Sequence, residues 1–526
     1  MAQKNVIFCF SLLLTIPMLS QQKDSLEVKI IANEHWWGGA VWDGHIMPFD
    51  EGYAIDLYGN NKGNQAQPLL VSDKGRVIWS EDPISYTVQG DKILVTSRGG
   101  EIRVSSAGST LKEAFSFASQ NYFPASGKYP DALLFEKPQY NTWIELTYNQ
   151  NQEDILKYAN AIVDNGFSPG VIMIDDNWQE DYGKWEFHQG RFSDPKQMVK
   201  QLHALGFKVM LWVCPFVSPD SDVYRELEKR GYFIKTEKDD FPLIVRWWNG
   251  ASAVLDFTNP EAVVWFDKVL KRLQDTYGVD GYKLDAGDSY FYNQPLTSFD
   301  QNATPNDHTY SFQQFGVKYP LNEYRATWKM GGQPLAQRLH DKGHNWEDIP
   351  KLIPQITLQG LLGYPFNCPD MIGGGEFGSF MDLEAIDQEL IVRSAQVHAL
   401  MPMMQFSVAP WRVLNEEHLM AIKKAVEIRE AYVPMIMDLV KNAATTGEPV
   451  VRSMEYEFPN KGYHNIKDQF MLGSNVIVAP ILEKGQTKRL VVLPEGKWNY
   501  KGKTYKGAKT VAVNVTLADI PVFRKI

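Results

Sequence analysis

Short segments in which apolar and polar residues alternate dominate the chain from about residue 26 to residue 118. The clearest examples are residues 28–31, 77–79, 93–96 and 102–104. A period of two is typical of strands that bury one face, and short strands between turns are typical of antiparallel sandwiches. The pattern predicts an N-terminal β-sandwich over residues 23–135, ending in a proline-containing stretch at 124–138.

The middle of the chain alternates strand-like apolar runs with amphipathic, helix-like segments. The strand-like runs are residues 142–147, 170–175, 207–215, 281–285, 363–368 and, less clearly, 401–406. The helix-like segments are residues 152–165, 195–205 and 261–277. Repeated βα units over this length favour a closed (β/α)₈ barrel, placed at residues 136–442, with an open doubly wound sheet as the alternative.

The end of the chain returns to an all-β pattern after a helical region at 416–441. Its strand-like runs are residues 469–472, 475–480, 489–493 and 510–513. They predict a small C-terminal β-sandwich over residues 443–526. The predicted fold class is therefore α/β, a (β/α)₈ TIM barrel flanked by two β-sandwiches.

The first residues have the composition of a secretory signal. Lys4 and Asn5 precede an apolar run at 6–20, and polar residues follow at 21–24. A basic start, a short apolar core and a polar continuation predict a signal peptide at residues 1–22 and a secreted or periplasmic location. A retained N-terminal anchor is the alternative. The run is short for a membrane span, so no stable span is expected once the signal is removed.

Charge and cysteine content narrow the function classes. The 526 residues carry a formal net charge of −10 without a Lys/Arg cluster, which argues against a nucleic-acid partner. The three cysteines, Cys9, Cys214 and Cys368, have neither a disulfide nor a zinc spacing, so buried free thiols are expected for the last two. No feature of the sequence predicts an oligomeric state.

Polar and aromatic residues lie at the ends of three predicted barrel strands. Asp175 and Asp176 end the second strand, Trp212 lies in the third, and Lys283 and Asp285 end the fourth. Barrel enzymes gather their chemistry at these ends. Carboxylates and an indole suit a sugar, and Lys283 would keep Asp285 ionised and nucleophilic. The plainer interpretations are turn capping by Asp285 and loop or helix capping by Asp176. Because no His joins the carboxylates, no metal is expected.

Retaining glycoside hydrolysis needs two carboxyl groups, one ionised to attack the anomeric carbon and one protonated to release the leaving oxygen. Asp285 fits the first role. The residue pattern does not choose the second, since Asp and Glu are numerous.

Several motifs together resemble glycoside hydrolase family 31. They are VIMIDDNWQ at 171–179, the run at 190–221, GYKLDAGD at 281–288, the run at 356–375 and SNVIVAPIL at 474–482. The chain resembles most the branch that holds the myogenesis-regulating glycosidase and bacterial α-galactosidases. The features that carry this likeness are KLDAGD, Arg325, the 341–346 segment and GYPFNCPDMIGG.

The resemblance implies a role for each candidate residue. It implies that Asp285 is the nucleophile, that Asp341 is the acid/base and that Arg325 binds the sugar. The positions implied to contact the sugar are Asp175, Asp176, Trp212, Lys283 and Asp370. Asp341 as an exposed turn residue and Arg325 as a surface ion pair are the plainer alternatives. Nearby negative charge is expected to keep Asp341 protonated, and no cofactor is expected.

The chain departs from the α-glucosidase pattern of the family. Residues 403–407 read MMQFS, and Asp341 lies in HDKG. The departure favours an exo-acting α-galactosidase acting on an α-linked oligosaccharide or glycoside. The alternatives are an α-glucosidase, an α-xylosidase, an enzyme for another α-sugar such as an acidic hexose, a transglycosylase, and an inactive carbohydrate-binding homologue. Trp247 and Trp248, in the insertion after the third strand, either shape the pocket or pack in the core.

Overall fold

Two antiparallel sheets form the N-terminal part of the computed structural model, which describes residues 25–526. One sheet contains, in spatial order, Ser25–Lys29, Lys92–Ser97, Ile84–Gln89 and Ala54–Asp56. The other contains Trp36–Ala40, Gln65–Ser72, Arg76–Ser80 and Ile102–Ser106. Apolar side chains of both sheets share one core, including Trp36, Ile78 and Tyr86. The predicted sandwich is confirmed, while the predicted signal peptide lies outside the described residues.

Eight parallel strands form the central barrel. They are Gln139–Asn141, Val171–Ile174, Lys208–Val213, Gly281–Leu284, Asn322–Tyr324, Gln337–Arg338, Asn367–Cys368 and Gln405–Phe406. Each strand pairs with the next along the chain as far as the seventh, and the eighth pairs with the first. The seventh and eighth strands approach each other where the Met403 N–H donates to the Asn367 carbonyl at 3.1 Å. The predicted barrel is confirmed, and the open doubly wound alternative is wrong.

Helices surround this barrel. The longer ones are Gln152–Asp164, Pro195–Ala204, Pro260–Tyr277, Pro305–Gly316, Leu352–Leu361, Gln388–Ala399 and Glu416–Thr446. The shorter ones are Leu133–Glu136, Trp143–Leu146, Asp222–Arg230 and Pro410–Val413, and Leu111–Tyr122 follows the N-terminal sheets. The 3₁₀ helices are Val41–Ile46, Ser289–Tyr292, Ile349–Lys351, Phe377–Phe380 and Leu383–Ala385.

The helix Pro260–Tyr277 delivers the chain to the fourth strand. It begins where the Asn259 side chain accepts a hydrogen bond from the Glu261 N–H at 2.9 Å, and it ends at Gly278, which has a φ of +83°. Gly281 then opens the strand against its neighbour. A Cβ at Gly281 would lie 2.0 Å from the Leu321 carbonyl oxygen, so only glycine lets these two strands pair.

The first strand differs from the prediction. Residues 142–147 were expected to be a strand, but the strand is Gln139–Asn141 and a helical turn follows at Trp143–Leu146. The Asn141 side chain accepts a hydrogen bond from the Trp143 N–H at 2.8 Å and thereby starts the turn. The strand escapes a hydrophobicity pattern because its flanking positions, Gln139 and Asn141, are polar and buried.

Two two-stranded sheets and one three-stranded sheet lie in the loops between barrel elements. The three-stranded sheet is Phe216–Val217, Gly250–Val254 and Ile244–Trp247. The two-stranded pairs are Gln179–Asp181 with Lys184–Phe187, and Lys235–Thr236 with Leu296–Thr297. The turn between Ile244–Trp247 and Gly250–Val254 carries two residues, Trp248 and Asn249, toward the cavity described below.

The C-terminal part is all-β, as predicted. Its larger sheet contains Val451–Arg452, Phe470–Leu472, Val476–Val478, Val522–Lys525, Lys497–Tyr500 and Lys503–Lys506. The second sheet is Lys488–Leu493 paired with Lys509–Asn514, and a short helix spans Met454–Glu457. Met471, Trp498 and Val513 bury their side chains in a core common to both sheets. The exact domain boundaries stay predictions.

A backbone connection joins the N-terminal sandwich to the barrel. Thr327–Trp328, which follows the fifth barrel strand, pairs in parallel with residues Gln65 and Ala66 of the sandwich. The preceding loop of the sandwich, which contains Gly63, therefore lies over the C-terminal end of the barrel. Within residues 25–526, no helix is long and apolar enough to cross a membrane. Cys214 and Cys368 are buried free thiols, as predicted.

Candidate active site

One cavity opens at the C-terminal ends of the barrel strands and has a volume of about 320 Å³. Among the residues that line it are Asp175, Asp176, Trp212, Lys283, Asp285, Arg325 and Asp341. The structure thus brings together every predicted site residue except Asp370, which lies behind this wall. The wall also contains Gly63 of the N-terminal sandwich and three charged residues that sequence reasoning did not assign to the site, Asp288, Arg338 and Glu376.

Both carboxylate oxygens of Asp285 have hydrogen-bond donors. Oδ1 accepts from Arg325 Nε at 2.9 Å and from the Ala286 N–H at 2.8 Å. Oδ2 accepts from Trp212 Nε1 at 3.0 Å, and Lys283 Nζ lies 3.4 Å away. Ala286 has a φ of +58°, a left-handed conformation that aims its N–H back at the carboxylate. The Asp285 carboxylate is therefore fixed in one orientation.

The charges around Asp285 keep it ionised. Burial by itself would raise the pKa of the Asp285 carboxyl, but the Lys283 ammonium and the Arg325 guanidinium together hold it well below its usual value. Lys283 also contacts Asp175, at 3.0 Å. Although burial lowers the pKa of Lys283, the two carboxylates raise it above the usual value, so the ammonium stays charged.

Asp175 connects the first, second and fourth strands. Its Oδ2 accepts from Asn141 Nδ2 at 2.8 Å as well as from Lys283, and its Oδ1 accepts from the Asp176 N–H at 2.8 Å. Its side chain is 5% exposed and lines the cavity. Asp175 fixes Lys283, and Lys283 in turn stabilises ionised Asp285.

Asp176 has a different environment. Its carboxylate accepts from the Tyr182 hydroxyl at 3.0 Å and from Asn249 Nδ2 at 2.5 Å. Burial, and after it the negative charge of Asp175, raises the pKa of Asp176 to about 7. At neutral pH this carboxyl can therefore either donate or accept a hydrogen bond to a ligand hydroxyl.

Arg325 is a buried residue and not the surface ion pair of the plainer interpretation. It follows the fifth strand and binds Asp288 through two nitrogens, at 3.0 and 2.7 Å, while its Nη1 also donates to the Gly63 carbonyl at 2.5 Å. Asp288 precedes the turn Ser289–Tyr292 and lines the cavity as well. Its place in GYKLDAGD was the sequence signal that could have assigned it to the site.

Asp341 follows the sixth strand and is more accessible than Asp285. Its side chain is 34% exposed, against 8% for Asp285. Its Oδ1 accepts from Arg338 Nη1 at 2.5 Å. Burial favours the neutral acid, but the Arg338 guanidinium outweighs it and holds the pKa of Asp341 below the usual value. The expectation that negative charge keeps Asp341 protonated is therefore wrong for the open cavity, because a cation is its direct neighbour.

The predicted sugar contact of Asp370 requires correction. Asp370 follows the seventh strand, is 1% exposed and does not line the cavity. Its Oδ1 accepts from Arg338 Nη1 at 2.7 Å and its Oδ2 accepts from the Lys342 N–H at 2.7 Å. Burial raises the pKa of Asp370 to about 6 even though Arg338 opposes the shift. Asp370 therefore supports Arg338 from behind.

Aromatic residues surround the mouth of the cavity. Trp248 is 47% exposed and its ring lies under the Arg325 guanidinium at 5.5 Å, whereas Trp247 is buried and stacks near Trp212. Of the two interpretations given for this pair, pocket lining therefore applies to Trp248 and core packing applies to Trp247. On the other side, Trp143 and Phe377 pack edge to face at 5.5 Å. Flat apolar surfaces beside carboxylates suit a sugar.

Over residues 25–526, no group of three or more His, Cys, Asp or Glu side chains is placed to hold a metal ion. The cavity carboxylates are instead each bound to cations or neutral donors of the protein.

The chain matches known family models over most of its length. A model described as the glycosyl hydrolases family 31 TIM-barrel domain matches residues 135–439, and one described as the glycosyl hydrolase family 31 C-terminal domain matches residues 447–526.

Named relatives have different specificities. The chain is 33% identical over 424 residues to the myogenesis-regulating glycosidase of Mus musculus, covering 79% of this chain and 59% of that protein. It is 26% identical over 508 residues to the α-xylosidase XylQ of Lactiplantibacillus pentosus, covering 87% and 63%. It is 25% identical over 495 residues to α-glucosidase 2 of Bacillus thermoamyloliquefaciens, covering 83% and 62%. The chain thus spans about three-fifths of the length of these relatives.

A solved structure shares the fold. The family 31 dextranase of Flavobacterium johnsoniae in complex with glucose superposes with a TM-score of 0.85 at 20% identity, covering 96% of this chain and 66% of that one.

Proposed function

The chain belongs to glycoside hydrolase family 31, and on that premise we propose that it is a retaining, exo-acting α-glycoside hydrolase with α-galactosidase specificity. The observation that carries the proposal is the pair of Asp285 and Asp341 on one cavity wall, with Asp285 fixed and ionised and Asp341 partly exposed. A cavity of about 320 Å³ is at the small end of ligand sites, which supports a single terminal sugar as its occupant.

The proposed mechanism is double displacement. Asp285 attacks C1 of an α-linked sugar while Asp341 donates its proton to the departing oxygen. Asp341, now a carboxylate, then takes a proton from water as the water oxygen bonds to C1 and Asp285 leaves. A bound glycoside covers Asp341, and the loss of water raises the pKa of its carboxyl from the low value that it has beside Arg338.

The charge of the cavity supports a neutral sugar. Of the described residues, the Lys and Arg side chains that line the cavity are Lys283, Arg325 and Arg338, and each of them already contacts at least two carboxylates. A sulfated or carboxylated hexose would need a cation with free donors. This balance disfavours the acidic-hexose alternative.

The galactose preference rests on the family resemblance, in which residues 403–407 and the HDKG sequence around Asp341 depart from the α-glucosidase pattern. Gln405 and Ser407, within the MMQFS sequence, are fully buried, and Gln405 Nε2 donates to Glu323 at 2.8 Å and to Gln139 at 2.9 Å. These residues therefore serve the barrel interior and do not line the cavity. An α-glucosidase or α-xylosidase is the second candidate, because two of the relatives bear those names.

A panel of 4-nitrophenyl α-glycosides tests the specificity. We expect the α-galactoside to be cleaved with the highest kcat/KM, and the product to keep the α configuration by NMR at early times. Faster cleavage of the α-glucoside or α-xyloside would replace the galactosidase assignment. Disaccharide products at high acceptor concentration would identify a transglycosylase.

Covalent trapping tests the assignment of the nucleophile. An α-galactosyl-configured cyclophellitol aziridine should label Asp285, as read by peptide mapping. A label on another residue would contradict the mechanism. If the protein binds galactose but is neither labelled nor active on any glycoside of the panel, it is the carbohydrate-binding homologue.

We further propose that the chain is exported, because of the basic, apolar and polar pattern of residues 1–24. N-terminal sequencing of the protein recovered outside the cytoplasm should begin near residue 21 to 23. Recovery of the uncleaved chain from the membrane fraction would favour the retained anchor.

A further inference from the structure

The Arg338 guanidinium contacts three carboxylates at the end of the sixth strand. Its Nη1 lies 2.5 Å from Asp341 Oδ1 and 2.7 Å from Asp370 Oδ1, and its Nε lies 3.4 Å from Glu323 Oε1. The Arg338 side chain is only 2% exposed. Sequence reasoning assigned no role to Arg338, and the double-displacement mechanism in its simplest form does not use it.

The contacts of Nη1 outnumber its hydrogens. A guanidinium Nη carries two N–H groups. Three acceptors lie within hydrogen-bonding distance of this one nitrogen: Asp341 Oδ1, Asp370 Oδ1 and the Leu339 carbonyl oxygen at 3.1 Å. Arg338 can therefore release Asp341 and still have both hydrogens of Nη1 bound.

Two of the three carboxylates cannot follow a movement of Arg338. Asp370 Oδ2 is held by the Lys342 N–H, and Glu323 Oε2 is held by Gln405 Nε2 at 2.8 Å. Both residues are almost completely buried, whereas the Asp341 side chain is 34% exposed. Asp341 is thus the partner that can leave.

We propose that Arg338 is the positioning residue of the reaction, binding Asp341 when it is a carboxylate and retaining Asp370 and Leu339 as partners when Asp341 is protonated. This inference rests on the hydrolase activity proposed above. In the first half-reaction the Asp341 proton moves to the glycosidic oxygen as the C1–O bond breaks and the bond from Asp285 to C1 forms. The new Asp341 carboxylate returns to Arg338, which orients it to take a proton from water in the second half-reaction.

Asp370 has a matching role in this proposal. Asp370 is a fixed second carboxylate on the same nitrogen. It competes with Asp341 for Arg338 and so weakens the ion pair between Arg338 and Asp341. Removing Arg338 and removing Asp370 should consequently shift the protonation of Asp341 in opposite directions. That opposition separates positioning from a merely structural role.

The test compares Arg338→Met, Arg338→Lys and Asp370→Asn with the wild type. The substrates are the methyl α-glycoside and the α-glycosyl fluoride of whichever sugar the wild type cleaves fastest. Methanol must be protonated to leave, whereas fluoride leaves as an anion and needs little help from Asp341. Arg452→Met is the matched control, since Arg452 is 3% exposed and paired with Glu457 and Glu448 in the C-terminal domain, away from the cavity.

We expect Arg338→Met to lower kcat/KM for the methyl glycoside about 10- to 100-fold, less than the full loss of a general acid because Asp341 is still present, and for the fluoride less than about 10-fold. The basic limb of the kcat profile, which reports the acid of the enzyme–substrate complex, should move up by about one pH unit or more. In Asp370→Asn the limb should move down, and in Arg338→Lys it should stay near the wild type. Arg452→Met should leave the limb unchanged.

Equal losses on both substrates with an unmoved limb in Arg338→Met would overturn the proposal. If thermal unfolding shows that Arg338→Met does not fold, the direction of the shift in Asp370→Asn decides, and an upward or absent shift overturns the proposal. If the wild type cleaves neither substrate of any sugar, the proposed function fails and this inference fails with it. An active wild type with unresponsive variants overturns the inference alone.

Discussion

The two halves of the barrel hold the two reactive carboxyl groups in different ways. The second to fourth strands are four to six residues long and apolar, and they hold Asp285 with donors on both oxygens and 8% of its side chain exposed. The fifth to seventh strands are two or three residues long, and Asp341 lies beyond them with 34% of its side chain exposed and a donor that it shares with Asp370.

The difference matches what each group must do. A nucleophile attacks along one line, so rigid placement lowers the cost of reaching the transition state. An acid that later acts as a base must change protonation state and must meet both a leaving group and a water molecule. The long apolar strands supply rigidity for Asp285, and the short polar strands supply an exchangeable contact for Asp341. Four experiments test this contrast.

Replacing the fixed group should have the largest effect. We expect Asp285→Asn to reduce kcat by roughly 10⁴-fold or more, as removal of an enzyme nucleophile does. The variant should still fold, since an amide fits the same space, and should bind the sugar product by calorimetry. Residual activity within about tenfold of the wild type would contradict the role of Asp285.

Replacing the exchangeable group should have a smaller effect that depends on the substrate. We expect Asp341→Asn to lower kcat/KM about 10²- to 10⁴-fold for a methyl α-glycoside and far less for the α-glycosyl fluoride. Steady-state kinetics on both substrates measures the contrast. Equal losses for the two leaving groups would mean that Asp341 does not protonate the departing oxygen.

A substitution in the rigid half of the barrel should also lower the free energy of unfolding. Lys283→Met leaves the buried carboxylates Asp175 and Asp285 without their shared cation, and breaking such a pair costs about 3–5 kcal/mol of unfolding free energy. Urea unfolding monitored by Trp fluorescence measures the loss. Lys92→Met, which removes an exposed pair with Glu27, is the control and should not move the midpoint. A midpoint for Lys283→Met equal to that of the control would show that the contacts of Lys283 with Asp175 and Asp285 do not stabilise the folded protein.

The smallest effect concerns pH. The pKa of Asp176 is raised from its usual value to about 7 in the folded protein. A carboxyl group with a raised folded pKa contributes stability below its unfolded pKa, near 4, and loses it as the pH rises toward 7. Between pH 5 and pH 7 the wild type should therefore lose roughly 2 kcal/mol relative to Asp176→Asn, since the slope of 1.36 kcal/mol per pH unit falls off near the folded pKa. Parallel stability curves for the two proteins over this range would contradict the shift.

The same division decides what the sequence could predict. The apolar strands from 171 to 284 were recognisable by hydrophobicity, and they delivered Asp175, Trp212, Lys283 and Asp285 to one cavity. The fifth and sixth strands were not predicted. They have only three and two residues, and polar side chains such as Glu323 and Gln337 leave no periodic hydrophobic signal.

Individual roles in the second half depended on contacts between distant segments. Arg338 and Asp370 are 32 residues apart and meet only because the sixth and seventh strands pair. Sequence reasoning therefore placed Asp370 on the sugar and missed Arg338 altogether. The pKa of Asp341 was predicted in the wrong direction for the same reason, since its sign depends on a neighbour that only the fold supplies.

The strand pairing between Thr327–Trp328 and the N-terminal sandwich means that the sandwich cannot be treated as a removable accessory. The Gly63 carbonyl that it places on Arg325 belongs to the same polar network that grips Asp285. A truncated chain that begins at the barrel would lack the part of the active-site cavity that Gly63 lines. Gene fusion that transfers this barrel to another protein therefore has to transfer the N-terminal sandwich as well, so the two domains are expected to be inherited together.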